Sequence, residues 1–192
     1  PGSQNGFDNS GRRGPITWQS GNTVQQTLTA LHNLATRYAA AQQSDDTTIT
    51  AIELLNEPFP PTVQLPPLKQ FYKDGYDLIR KTNTKNPNPV GIAISDAFQP
   101  PSSWNGFMTT QTHKNIYLDT HHYQIFDDGV QRSPTEHIAA ACAFRSQLTG
   151  LDKPTFVGEW SGAMTDCAKY LNGRGGWSYV LWFIVGCTVK VV

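Results

Sequence analysis

Four segments decide the fold: Leu54-Leu55-Asn56-Glu57-Pro58, Ile94-Ser95-Asp96, Asp119-Thr120-His121-His122-Tyr123 and Val157-Gly158-Glu159-Trp160. Each closes a short apolar run with residues that carry chemistry. The runs are Ile49–Leu55, Pro89–Ser95, Asn115–His121 and Pro154–Glu159, and each reads as a strand. Helical patterns lie between them. Leu68–Lys81 places Phe71, Tyr72, Gly75 and Leu78 at helical spacing. Ser133 is a candidate N-cap with Pro134 behind it and Glu136 at the capping-box position, opening a helix through Ile138, Ala141 and Leu148. Thr165–Leu171 is the expected helix after the fourth strand.

Upstream, Asn22 and Gln25 have capping-box spacing. Val24, Leu28, Leu31, Ala35 and Tyr38 then recur with a 3.6-residue period, which predicts a helix closed by the polar stretch Gln42–Asp46. Residues before it are rich in Gly, Asn and Ser and read as a long loop. Loops of that length in compact domains usually serve function, and this one holds aromatic and aliphatic residues that need burial.

Alternating strands and helices predict an α/β fold with a parallel sheet, either doubly wound or a (β/α)8 TIM barrel. In a barrel the C-terminal ends of the strands build the active site. No Gly-x-Gly-x-x-Gly follows a strand and no P-loop occurs, so nucleotide binding has no support.

Composition narrows the function. The chain has 192 residues, with 15 Lys+Arg balanced by 15 Asp+Glu. A neutral chain offers no electrostatic footprint for nucleic acid or an anionic membrane. The apolar stretch Trp177–Val189 is too short to span a bilayer comfortably. With only 16% charged residues, solubility rests on uncharged Asn, Gln, Ser and Thr, and a domain rich in amides and aromatics suits a neutral polar ligand such as a sugar. Three cysteines, Cys142, Cys167 and Cys187, form no Cys-x-x-Cys pair, so a zinc site is not expected.

Glu57 and Glu159 follow separate strands. Glycosidic cleavage needs two carboxyl groups: one delivers a proton to the leaving oxygen, the other attacks or stabilises the oxocarbenium-like centre. Their separation distinguishes retention from inversion, and sequence does not supply it.

Leu-Leu-Asn-Glu-Pro and Val-Gly-Glu-Trp resemble the acid/base and nucleophile signatures of glycoside hydrolase family five. Pro1–Gly11, His121–Phe126 and Asp166–Gly173 are similar to segments of its fungal exo-1,3-β-glucanases. The resemblance implies a (β/α)8 barrel of which residues 1–174 cover strands four to seven. It implies a retaining exo-acting hydrolase that releases glucose from 1,3-β-glucan, with Glu57 as acid/base and Glu159 as nucleophile. Asn56 matches the residue that binds the sugar 2-hydroxyl. His121 and Tyr123 match residues that contact glucose and orient the nucleophile. Phe7 and Phe126 match an aromatic pair at the sugar-site entrance, and Asn9 is a weaker subsite candidate. Asp96 is open between sugar contact and support, and Trp104 reads as packing. No metal or cofactor is implied. A monomer that is secreted or wall-associated is expected, with Cys142 and Cys167 at disulfide positions. Residues 175–192 depart from the family pattern and read as a divergent, non-native tail, or alternatively as an eighth strand. Two other functions stay open: a related endo-glucanase or mannanase, and an inactive fragment that binds β-glucan.

Overall fold

A computed structural model describes residues 2–7, 14–39, 49–82, 89–164. Asn9, Cys167, Cys187, the expected helix at Thr165–Leu171 and the tail at 175–192 lie outside the described residues. The order is helix α1 (Thr23–Leu34), strand β1 (Ala51–Glu53), α2 (Leu65–Thr82), β2 (Gly91–Ser95), β3 (Ile116–His122), α3 (Pro134–Phe144) and β4 (Thr155–Trp160).

All four strands are parallel and lie in chain order, β1-β2-β3-β4. A doubly wound sheet reverses its strand order at a switch point, whereas a barrel advances steadily in one direction. The steady advance makes this sheet an arc of a (β/α)8 barrel. The β2–β3 connection replaces a full helix with a turn of 3₁₀ helix at Pro101–Trp104.

Alternation along the strands separates two faces. Ile92, Ile94, Ile116 and Leu118 are buried in one core with Leu68, Phe71, Tyr72 and Ile79 of α2. Leu54 packs so closely under α2 that a Cβ on Gly75 would come within 3.1 Å of its Cδ1. The opposite face carries Glu53, Ser95, Asp119 and His121. At the lower end Arg80 ties α2 to two strands, donating to the carbonyls of Val90 at 2.8 Å and Lys114 at 2.9 Å. Trp104 is packing, as its sequence position suggested: it is fully buried and donates Nε1–H to the Asp96 carbonyl at 2.9 Å.

The two expected capping boxes have different outcomes. Ser133 has extended backbone, and its reciprocal box with Glu136 forms. Asn22 has φ −102° and ψ 16°, which does not aim its side chain at the first-turn N–H groups, and no cap bond forms. Its Oδ1 instead accepts from Gln26 Nε2 at 2.8 Å. The α1 pattern also changes. Ala35–Ala39 is a π-turn, which widens the helix, so Ala39 is buried and Tyr38 stays 45% exposed. On α3, Ile138 remains 38% exposed rather than facing a core. That helix meets the sheet through Phe144, which stacks on His122 at 4.1 Å. Cys142 is disulfide-bonded. No helix among the described residues is long and apolar enough to cross a membrane.

Candidate active site

The N-terminal loop is laced onto the segment after β1. Trp18 anchors it: buried, it meets Phe71 edge-on at 5.0 Å and donates to Thr27 Oγ1 at 3.0 Å. Gln4 then takes Phe59 N–H on its carbonyl at 3.0 Å and gives its own Nε2–H to the Asn56 carbonyl at 2.9 Å. These bonds hold Glu57 at φ +42°, a left-handed conformation unfavourable for a residue with a Cβ. The strain is local to a buried carboxyl at the strand end, where Asn5 Nδ2 approaches Glu57 Oε2 at 3.4 Å.

The site closes across the sheet. His121 Nδ1 stands 2.7 Å from Glu57 Oε1 and 3.4 Å from Glu159 Oε2. Its other nitrogen, Nε2, lies 3.3 Å from Asp119 Oδ2. Tyr123 donates its hydroxyl to Glu159 Oε2 at 2.9 Å. Single atoms of Glu57, His121 and Glu159 all fall within 4.8 Å of one another. The two carboxylates therefore approach each other closely from β1 and β4, the outermost strands of the arc.

Burial alone would lower the pKa of His121. Hydrogen bonds to Asp119 and Glu57, with the charges of Asp119 and Glu159, outweigh burial and push it up to about 10. The ring is thus an imidazolium with both nitrogens donating.

Deeper on the same face Glu53 is pushed up to about 8, first by burial and then by Asp119. Its Oε1 is buried with no partner. At neutral pH it is a neutral acid beneath His121 and its carboxylate partners. Asp96 is raised mainly by burial, partly offset by hydrogen bonds from Thr120 and Phe98. It accepts Phe98 N–H at 2.9 Å and the Thr120 hydroxyl, so it supports the loop after β2.

The structure brings together Glu57, His121, Tyr123 and Glu159, with Asn56 directly before Glu57 in the chain. Phe7, 36% exposed, meets Phe59 at 5.4 Å and Phe98 at 6.3 Å, both edge-on. Phe126 is 52% exposed and packs edge-on against Tyr123 at 6.3 Å. The two rings named as an entrance pair thus belong to separate aromatic groups. Sequence reasoning assigned no role to Asn5, Glu53, Asp119, Phe59 or Phe98. Asp119 had a usable signal: it lies two residues before His121 on one strand and so shares its face.

The family model for Cellulase (glycosyl hydrolase family 5) matches residues 14–184. A probable glucan 1,3-beta-glucosidase A of Aspergillus niger is 53% identical over 178 residues, covering 91% of this chain and 40% of that protein. A glucan 1,3-beta-glucosidase of Blumeria graminis is 49% identical over 91% of this chain and 39% of its own length. The chain spans about two fifths of these relatives. Among solved structures, a rutinosidase from Aspergillus niger superposes with a TM-score of 0.54 at 22% identity, covering 86% of this chain and 47% of that one. That likeness concerns the fold alone. With the family match extending over most of the sequence, the chain belongs to glycosyl hydrolase family 5.

Proposed function

We propose that the protein is a retaining, exo-acting glycoside hydrolase that releases glucose from 1,3-β-glucan. One observation carries the mechanism: an oxygen of Glu57 and one of Glu159 lie within 4.8 Å. Retaining glycosidases hold their carboxyl groups about 5–5.5 Å apart, and inverting ones about 6.5–9.5 Å, to admit a water. The close pair falls on the retaining side of that division, which supports retention.

Glu159 attacks the anomeric carbon while Glu57 gives its proton to the departing glycosidic oxygen. A glycosyl ester on Glu159 results; water, losing a proton to Glu57, then attacks the anomeric carbon and displaces the Glu159 carboxylate, releasing the sugar. His121 serves both halves. At 2.7 Å it shares a proton with Glu57, and the negative charge of Glu159 helps keep that proton in the site. Esterification removes that charge, which frees Glu57 to act as base. Tyr123 holds the Glu159 oxygen in line. Asn56 is assigned to the sugar 2-hydroxyl, and Phe7 and Phe126 to the apolar faces of successive sugar rings.

The glucan preference rests on the names of relatives about half identical to this chain. The disulfide at Cys142 supports an oxidising, secreted location. Proton NMR of the first-formed sugar tests the mechanism on a short 1,3-β-glucan oligosaccharide. β-Glucose appearing before mutarotation is the expected result; α-glucose would mean inversion and would sink the proposal.

A further inference from the structure

β3 and β4 do not pair evenly. Asp119 faces Phe156 and Thr120 faces Val157, but His121 faces Glu159, so Gly158 is skipped. Gly158 is the extra residue of a β-bulge, and a bulge leaves one residue outside the ladder. Its consequence is the orientation of Glu159. Even pairing would set Gly158 opposite His121 and Glu159 opposite His122. A one-residue slip moves every later side chain to the other face of a sheet. The bulge is what puts Glu159 on the same face as His121 and Glu57.

Asp119 holds this irregularity in place. It is 4% exposed. Its Oδ1 accepts the N–H of Gly158 at 2.8 Å, the backbone donor at the bulge. Its Oδ2 faces His121 Nε2 at 3.3 Å. A Cβ at 158 would run into the Asp119 carboxylate, so any other residue there displaces it.

We propose that Asp119 is a positioning residue that locks the Gly158 bulge with one carboxylate oxygen and the His121 ring with the other, so that a single side chain sets Glu159 and Glu57 against each other. The proposal rests on the reading of these two glutamates as the working pair. Asp119 acts on them through Gly158 and His121. The other ionisable groups around His121 are Glu53 from β1, Glu57 after it, Asp96 after β2 and Glu159 from β4.

Four variants of the full protein test it: Asp119→Asn, Asp119→Ala, Gly158→Ala, and Gly158→Ala combined with Asp119→Ala. Asp119→Asn keeps an oxygen for Gly158 N–H but offers His121 no anion. The 15N resonances of His121 are expected to titrate at lower pH, with kcat reduced about 100-fold, as for a misplaced reacting group, and KM little changed. Gly158→Ala is expected to lower both Tm and kcat. In the double variant the added methyl group has room, so Tm is expected to exceed that of Gly158→Ala alone. A purely structural Asp119 would move Tm in all four but leave the His121 titration of Asp119→Asn where it was, and that result overturns the proposal. Equal Tm losses from Gly158→Ala in the presence and absence of Asp119 also overturn it. If the unaltered protein shows no hydrolysis, the functional reading fails by itself. The His121 titration and the Tm coupling then still decide the role of Asp119.

Discussion

Tyr123 donates its hydroxyl to Oε2 of Glu159 across 2.9 Å. Burial, that hydrogen bond and the charge of Glu159 push the phenol up to about 12, so it remains a donor at any working pH. A hydrogen bond to a charged acceptor contributes about 1.5–3 kcal/mol. Tyr123→Phe is therefore expected to lower kcat/KM by about 10- to 100-fold. Steady-state kinetics on an oligoglucan check it, with an unchanged Tm showing that the fold is intact.

Two groups link stability to pH in the same direction. Glu53 is raised from 4.5 to about 8, chiefly by burial, so the folded state holds its proton more tightly than the unfolded chain. His121 is raised from 6.5 to about 10 by its carboxylate partners, against the effect of burial. In both cases the folded state binds the extra proton, so stability falls as pH rises through these intervals. The Glu53 contribution is lost between about pH 4.5 and 8 and the His121 contribution between about pH 6.5 and 10. Tm is expected to decline steadily from mildly acidic to alkaline pH. Glu53→Gln stays neutral throughout, so it should flatten the lower part of that decline and leave the upper part. Differential scanning calorimetry across the range is the check.

Arg80 grips two strand ends from α2, and Tyr76 lies under its guanidinium at 4.6 Å. Arg80→Ala abandons both carbonyls, at an expected cost of about 2–4 kcal/mol from hydrogen bonds and lost packing. Arg80→Lys should recover less than half, since an ammonium lacks the planar fork that reaches both acceptors. Urea denaturation measures both.

The two exposed rings separate binding from packing. Phe126→Ala is expected to raise KM for an oligoglucan about 3- to 10-fold, the worth of one aromatic contact, and to lower Tm less than Phe7→Ala does, since its edge-on neighbour is Tyr123. Phe7→Ala should raise KM and also lower Tm, because Phe7 packs on Phe59 and Phe98.

The arc and the identity of its polar strand ends were legible because each strand is a short apolar run closed by chemically distinctive residues. Leu54–Pro58 and Asp119–Tyr123 could be placed at strand ends from the sequence, and Glu57, His121 and Tyr123 meet there. What sequence could not resolve depends on single-residue irregularities. Tyr38 was expected inside because the period was carried through at 3.6, whereas the π-turn turns Ala39 inward. Asn22 has the right side chain for a cap but the wrong backbone. Glu159 is the sharpest case. Alternation through Val157-Gly158-Glu159 reads equally well with or without a bulge, and only the pairing with β3 decides which face the carboxylate takes. Glu53 was passed over as one residue of a strand, because the missing partner of a buried carboxyl becomes visible only in three dimensions.

The central claim is that Glu159 is the nucleophile of a retaining site completed by Glu57. Intact mass and peptide mapping after incubation with a 2-fluoro-glucoside, which slows release of a glycosyl ester, test it most directly. The account predicts one added fluoroglucosyl group, on Glu159. Label on any other residue, or none on protein shown to be folded and to bind the sugar, would contradict it.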